Sequence, residues 1–202
     1  KIAYILNLLV NNPDSNIKEL IIKAELSKTL ITSLASFLEN NNHLTKLFLA
    51  PSISYMVEDK PNNFENIKEI IQALKENTHL QELTLDSIPV NIKDMASIKE
   101  MLANNHTLKT FSLTNCISFD LSSHALNQIY IGLMQNKKNL ETLDLRCNHI
   151  STAGSDYLLK ILENDLNLNI IAPGVSNNKN LTHLVSVLKQ NKEHMAKAAD
   201  LI

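Results

Sequence analysis

Residues 140–154 read LETLDLRCNHISTAG. Apolar and polar residues alternate up to Arg146, as they do along a β-strand that buries one face. A polar turn follows, after which Ser151 or Thr152 can cap a helix whose apolar side chains, through Leu162, share one face. These residues therefore predict a strand, a turn and an α-helix in direct succession.

The same pattern recurs along the chain. In each unit an apolar residue near the end of the helix is followed by three more, at six, nine and eleven positions further on. The five sets are Leu38, Leu44, Leu47 and Leu49; Leu74, Leu80, Leu83 and Leu85; Leu102, Leu108, Phe111 and Leu113; Met134, Leu140, Leu143 and Leu145; and Leu162, Leu168, Ile171 and Pro173. A repeat of this kind predicts a solenoid, because each unit buries its apolar face only by stacking on its neighbours.

Two of the units are longer than the others. Successive strands begin 27, 36, 28, 32 and 28 residues apart, at Ile17, Leu44, Leu80, Leu108, Leu140 and Leu168. The 36-residue unit carries an insertion within residues 51–63, which includes Tyr55, and the 32-residue unit is lengthened around residues 119–125. Insertions in a solenoid become loops on one face, which is often the binding face.

The pattern Leu140-x-x-Leu143-x-Leu145-x-x-Asn148-x-Ile150-x-x-x-Gly154 resembles a leucine-rich repeat of the ribonuclease-inhibitor type. The resemblance implies an α/β solenoid in the shape of a horseshoe, with parallel strands on the concave face and helices on the convex face. In that family an Asn or Cys after the strand bonds backbone groups of the turn, and here only Cys116 and Asn148 occupy that position.

Residues 1–202 are accordingly predicted to form a single leucine-rich-repeat domain. Residues 1–16 are expected to form an N-terminal capping helix, residues 17–191 about six repeats, and residues 192–202 a C-terminal cap or a truncated repeat. The capping helix covers the open end of the core, as terminal units of a solenoid commonly do.

Composition argues against several other classes of function. The chain has 202 residues and a formal net charge of −2, so it lacks the broad basic surface of a nucleic-acid-binding protein. No apolar run approaches the roughly 18 residues that a membrane span needs. Cys116 and Cys147 give neither a disulfide framework nor a zinc pattern, and they suit a cytoplasmic protein. We therefore expect no cofactor, no metal and no membrane insertion; the oligomeric state stays open.

The candidate site lies on the strand side chains that point away from the core. Its centre is polar and its flanks are apolar, and an exposed Phe and Arg are enriched in interface cores. The predicted partner-binding residues are Lys46, Phe48, Tyr55, Glu82, Thr84, Asp86, Thr110, Ser112, Thr114, Thr142, Asp144 and Arg146. The same alternation points Ile170 to solvent in the last strand. The alternative interpretation is that these are ordinary solvated sheet residues, with Phe48 packed under the insertion.

A catalytic interpretation is weaker. Asp144, Cys147 and His149 lie close together in sequence and suggest a thiol enzyme. A cysteine nucleophile needs a base within hydrogen-bond reach, however, and neither the spacing nor the flanking residues match a cysteine-enzyme pattern. The sequence therefore predicts a protein that is not an enzyme and that binds another protein on its concave sheet.

The resemblance suggests a more specific hypothesis. The chain contains 26 Asn, 21 Ile and 18 Lys but only one Arg, a bias expected of an AT-rich genome. Repeats of this type with such a composition resemble the effectors that intracellular bacteria such as Legionella secrete into the host cytoplasm, which implies a host protein as partner and a role in virulence. Two alternatives are the substrate-recognition arm of a larger enzyme, such as a ubiquitin ligase, and a regulatory sensor domain of a larger protein.

Overall fold

The computed structural model describes residues 2–10, 16–52, 67–136, 139–164 and 167–172. Within these ranges, six helices and six strands alternate along the chain. They are α1 (Ile2–Val10), β1 (Glu19–Lys23), α2 (Lys28–Asn40), β2 (Lys46–Ala50), α3 (Lys68–Glu76), β3 (Glu82–Asp86), α4 (Ile92–Asn104), β4 (Thr110–Thr114), α5 (Ser122–Gln135), β5 (Thr142–Asp144), α6 (Thr152–Asn164) and β6 (Asn169–Ile171). No helix in these ranges is long and apolar enough to cross a membrane.

All six strands belong to one parallel sheet, and they lie in it in chain order from β1 to β6. Parallel neighbours need a crossover connection, which the helices between them supply. The register places Leu47 beside Leu83, and Leu83 beside Phe111, which in turn pairs with Leu143. The apolar strand positions therefore form continuous rows that face the helices.

The hydrophobic core lies between this sheet and the helices, and the repeat predicted most of it. In the sets beginning at Leu38, Leu74 and Leu102, all four apolar positions are at most 5% exposed. In the set beginning at Met134, the three strand positions are buried as well. The helical side of the core includes Leu34, Ile70 and Ile98, which are fully buried. The sequence prediction of an α/β arrangement of stacked strand–helix units is confirmed at this level.

At α2, α4 and α6 a side chain at the beginning of the helix accepts hydrogen bonds from free backbone N–H groups, whereas α3 and α5 begin without such a cap. The Asn91 side chain accepts from the backbone N–H of Asp94, and the Asp94 carboxylate accepts from the backbone N–H of Asn91. This reciprocal pair is a capping box, which satisfies two otherwise unpaired donors of α4. At α6, the Ser151 hydroxyl accepts from Gly154 at 3.2 Å, so Ser151 rather than Thr152 caps that helix.

The sequence prediction fails at the C-terminal end of the sheet. It expected Ile171 to face the core and Ile170 to face solvent, but Leu143 pairs with Ile170 and Asp144 pairs with Ile171. Accordingly Ile170 packs against the core and Ile171 is 36% exposed. A shift of one residue exchanges the two faces of a strand, and adjacent isoleucines give no apolar–polar alternation to fix the register.

A smaller error concerns the last turns of α5 and α6. Met134 and Leu162 are only half-buried, whereas Leu133 and Ile161, one residue earlier, take the buried positions. The described residues do not include Tyr55, Pro173 of the last repeat set or the expected C-terminal segment 192–202.

Candidate protein-interaction surface

The open face of the sheet is the surface formed by the strand side chains that point away from the helices. Its side chains lie in rows, because the parallel register aligns equivalent positions of successive strands. The first row contains Glu19, Lys46, Glu82, Thr110, Thr142 and Asn169. In this row the Lys46 ammonium lies 2.7 Å from Glu82 Oε1, and the hydrogen bond to Glu82 raises the pKa of Lys46. Both side chains are well exposed, so this ion pair contributes little stability and stays open to exchange with a partner.

The second row has apolar ends and a polar centre. It contains Ile21, Phe48, Thr84, Ser112, Asp144 and Ile171. Ile21 is 57% exposed, and Phe48 is half-buried with the Lys23 ammonium 5.6 Å from its ring centroid. A cation at this distance over an aromatic face is weakly attracted to it. The described structure therefore leaves part of the Phe48 ring accessible.

The third row lies where the strands end. Asp86 pairs with Thr114 across the sheet, and Asp86 accepts a hydrogen bond from the Ser87 hydroxyl at 2.9 Å. The Thr114 hydroxyl lies 2.9 Å from that of Ser112 in the row beside it. Asp86 and Thr114 are both partly exposed, so these groups form a polar strip that still offers acceptors and donors to a partner.

Asp144 and Arg146 form a closely bonded pair at the C-terminal side of the open face. The Arg146 guanidinium donates through Nε and Nη2 to the two carboxylate oxygens at 2.7–3.0 Å. The backbone N–H of Arg146 donates to the same carboxylate at 3.0 Å. The hydrogen bonds to Asp144 raise the pKa of Arg146. Two parallel bonds of this kind orient the guanidinium as well as stabilise it.

Two residues that the sequence placed on a solvated surface are buried. Ser112 is 3% exposed and Asp144 is 6% exposed. Arg146, whose side chain is 60% exposed, lies over the Asp144 carboxylate and so presents the pair to solvent. Of the predicted partner-binding residues, Lys46, Phe48, Glu82, Thr84, Asp86, Thr110, Thr114, Thr142 and Arg146 have accessible side chains on this face, and Tyr55 lies outside the described residues.

The turns after the strands depend on Asn148 and Cys116. The Asn148 amide oxygen accepts from the backbone N–H groups of Cys116 and Ile117 at 2.9 and 2.8 Å. Its amide nitrogen donates to the carbonyls of Leu113 and Leu145 at 2.6 and 2.7 Å. Burial raises the pKa of the Cys116 thiol to about 12, so this thiol is inert and structural. The same thiol lies within hydrogen-bond distance of the carbonyls of Leu85 and Thr114, at 3.3 and 3.2 Å, so the expected role of both positions in bonding the turn backbone is confirmed.

The thiol-enzyme interpretation gains nothing from this geometry. The Asp144 carboxylate is committed to Arg146, and Cys147 is exposed in a left-handed turn with φ of 60°. Among the described residues, no group of three His, Cys, Asp or Glu side chains could hold a metal ion.

Sequence reasoning missed a second set of asparagines, which lies where the helices end. Asn77 donates to the carbonyl of Leu38, Asn105 to that of Leu74, and Asn136 to that of Leu102. Each bond reaches back to the helix of the preceding unit. The oxygens of Asn41, Asn77 and Asn105 meanwhile accept from two backbone N–H groups of their own turns.

The chain is similar to known proteins both in sequence and in structure. Bovine (Bos taurus) tropomodulin-4 is 26% identical over 114 residues, which are 55% of this chain and 32% of tropomodulin-4. The match thus spans about a third of that relative's length. Among solved structures, leiomodin-1 actin-binding site 2 (ABS2) superposes with a TM-score of 0.53, covering 98% of this chain and 95% of that chain at 16% identity. No protein-family model matches the chain. At this identity the structural similarity establishes a shared fold.

These similarities overturn the identification made from the sequence. The chain resembles tropomodulin and leiomodin, so its assignment to the ribonuclease-inhibitor type and to bacterial effectors is wrong. Virulence, secretion and host–pathogen interaction have no support. The effector hypothesis rested on composition, but an excess of Asn, Ile and Lys reflects codon usage and carries no information about a partner.

Proposed function

We propose that this protein is a non-enzymatic module that binds actin through the open face of its sheet. The observation that carries the proposal is the face itself. Three aligned rows present charged, hydroxyl and apolar side chains on one continuous surface, which no helix covers within the described residues. Extended sheet surfaces of this kind are used for protein binding in repeat proteins.

The choice of actin as partner is supported by the comparison with known structures. The fold matches, over nearly the whole chain, a solved structure described as an actin-binding site of leiomodin-1. The sequence similarity to tropomodulin-4 comes from an independent comparison. We extend the same reasoning to a cytoplasmic location, and we retain the expectation that the stacked units curve with the strands on the concave side.

The open face provides both affinity and specificity in this proposal. Phe48 and Ile21 supply an apolar anchor at one side, and Arg146 presents an oriented guanidinium at the other. Glu82 and Asp86 lie between them, beside the hydroxyls of the central strands. A polar surface with a few large anchors is typical of interfaces in which a small number of residues dominate the binding energy. Thr84, Thr110, Thr114 and Thr142 then contribute hydrogen bonds that fix the register.

The test is binding of purified actin, as monomer and as filament, to wild type and to the E82A/D86A/R146A variant. These three side chains are accessible and lie outside the hydrophobic core. Because R146A leaves the buried Asp144 carboxylate without its guanidinium partner, the E82A/D86A variant, which keeps that pair, is measured beside it. The matched control is K93A/E100A/D156A, which makes the same change in net charge on exposed helix positions. Circular dichroism checks the fold of each variant.

We expect the control to bind like wild type and the open-face variant to bind about five- to a hundredfold more weakly, since three interface contacts of a few tenths to 1 kcal/mol are lost. Failure of wild type to bind either form of actin would remove actin as the partner. Equal binding by both variants would remove the open face as the site. The roles as the recognition arm of a larger enzyme and as a regulatory domain stay predictions. The same two variants test them when other captured proteins replace actin in the binding measurement.

A further inference from the structure

A second surface lies at the edge of the sheet where the strands begin. It is a groove of about 400 Å³ whose lining includes Lys18, His43, His79, Gln81, His106 and Lys109. Asparagine and threonine side chains complete the lining, and among the described residues no carboxylate or large apolar side chain belongs to it. In a protein with a net charge of −2, a groove lined by lysines, imidazoles and amides is a local concentration of positive charge and of hydrogen-bond donors.

The groove is built by the repeat. Lys18, Thr45, Gln81 and Lys109 occupy the same position in four successive units, and the backbone N–H of each bonds the carbonyl of the one before it at 2.8 Å. Neighbouring strands are about 4.8 Å apart, so Lys18 and Lys109 are separated by about 14 Å across the sheet. His43 and His79 occupy equivalent loop positions in two consecutive units, and His106 lies one position earlier in the loop of the next unit.

The charged groups around the groove leave its lysines able to bind a ligand. The Lys109 ammonium lies 3.0 Å from Glu141, but that carboxylate is 68% exposed. An exposed ion pair of this kind is weak, and a carboxylate of a ligand can replace Glu141. The His79 ring lies against the Thr78 hydroxyl and the His106 ring against Asn136, so both rings are oriented by local hydrogen bonds.

We propose that this groove binds an extended acidic peptide segment that crosses the starts of the strands. An extended chain rises about 3.4 Å per residue, so carboxylates at positions i and i+4 are about 14 Å apart on one face. That distance matches the separation of Lys18 from Lys109. A single phosphate spans only a fraction of it and contacts one lysine at a time. The site is separate from the open face and does not depend on actin binding.

The experiment measures fluorescence anisotropy of a labelled peptide, Glu-Ser-Glu-Ser-Glu, with wild type and with the K18Q/K109Q variant. The control variant K93Q/K160Q makes the same charge change on exposed helix positions. Both peptides are amidated at the C-terminus. The control peptide, Glu-Glu-Glu-Ser-Ser, has the same charge but its carboxylates span only about half the distance. The E82A/D86A/R146A variant tests independence from the open face.

We expect the alternating peptide to bind wild type, the helix control and the open-face variant alike, and to bind K18Q/K109Q about tenfold more weakly, since two exposed charge contacts are lost. The contiguous peptide should bind more weakly than the alternating one. The proposal is overturned if wild type does not bind the alternating peptide or if K18Q/K109Q binds it as tightly as the control does. It is also overturned if the two peptides bind equally, or if inorganic phosphate at the same charge concentration displaces the peptide fully.

Discussion

Replacement of Asn148 by alanine should destabilise the protein strongly. The side chain is buried and makes four short hydrogen bonds, two as acceptor and two as donor. All four partners are backbone groups, and they belong to two successive units. Alanine leaves these groups without the partner that the fold provides for them.

The size of the effect follows from those four bonds. Each is worth about 1 kcal/mol net, and a buried group left unpaired costs somewhat more, so we expect a loss of about 3–4 kcal/mol in the free energy of unfolding. For a chain of this length that loss lowers the Tm by about 10 °C. Asn148→Asp should be at least as destabilising, since its second carboxylate oxygen would lie against the carbonyl oxygens of Leu113 and Leu145 and its charge would be buried without a partner.

The assay is urea unfolding followed by circular dichroism, together with hydrogen exchange at the amides of Cys116 and Ile117. The control is Asn164→Ala, which removes a single exposed bond to the Lys160 carbonyl and should change stability by less than about 0.5 kcal/mol. A loss below about 1 kcal/mol for Asn148→Ala, with protection of the two amides unchanged, would refute the reasoning.

Three further predictions concern the core and its buried titratable groups. Leu113→Ala, at a fully buried strand position, should cost about 2–5 kcal/mol in urea unfolding, and a cost below about 1 kcal/mol would contradict the assigned register. In the folded protein, a thiol reagent should label exposed Cys147 rapidly and Cys116 only on unfolding; equal labelling rates would argue against the burial that raises the pKa of Cys116 to about 12. Burial also raises the pKa of Asp94, although backbone hydrogen bonds at Asn91 and Ile67 act in the opposite direction. The protonated carboxyl therefore stabilises the fold at low pH, and this contribution is lost as the pH rises through the folded-state pKa. Stability of wild type should therefore fall relative to Asp94→Asn as pH increases above about 4, and parallel stability–pH curves for the two proteins would contradict this.

The sequence predicted the core well wherever apolar and polar residues alternate. Leu47, Leu83 and Leu143 lie in the same buried row because their spacing from the preceding helix is constant. The prediction failed at Ile170 and Ile171, where both residues are apolar and the pattern fits either face. Binary patterning specifies a strand register only when the two faces differ in polarity.

The sequence predicted on which face of the sheet the candidate side chains lie, but it did not predict how exposed each side chain is. Alternation correctly places Ser112 and Asp144 on the face opposite the helices. Alternation does not show whether a neighbouring side chain shields a position from solvent, and Asp144 is shielded by Arg146, two residues away on the same face. That coverage depends on a side-chain conformation and a bidentate geometry, which a list of residue types does not specify.

The asparagines at the helix ends were visible in the sequence but were interpreted as composition bias. Asn41 lies three residues from both Leu38 and Leu44, and the same arrangement holds around Asn77 and Asn105. The side chains of Asn77 and Asn105 form hydrogen bonds both with the backbone of their own turn and with the preceding helix. The second of these partners is 31 to 39 residues away in the chain, so local pattern reasoning does not find it.

The asparagine bonds also bear on how the protein unfolds. In a stack of units, stability divides into the free energy of each unit alone and the coupling between nearest neighbours. The bonds from Asn77 and Asn105 to the preceding helices belong to the coupling, whereas the bonds within their own turns belong to the unit. Removal of the coupling part lets one end of the stack unfold while the other end persists. These amides therefore set whether the protein loses its structure as one body or unit by unit from an end, and a broadened transition with a lower denaturant slope is the sign of the second case.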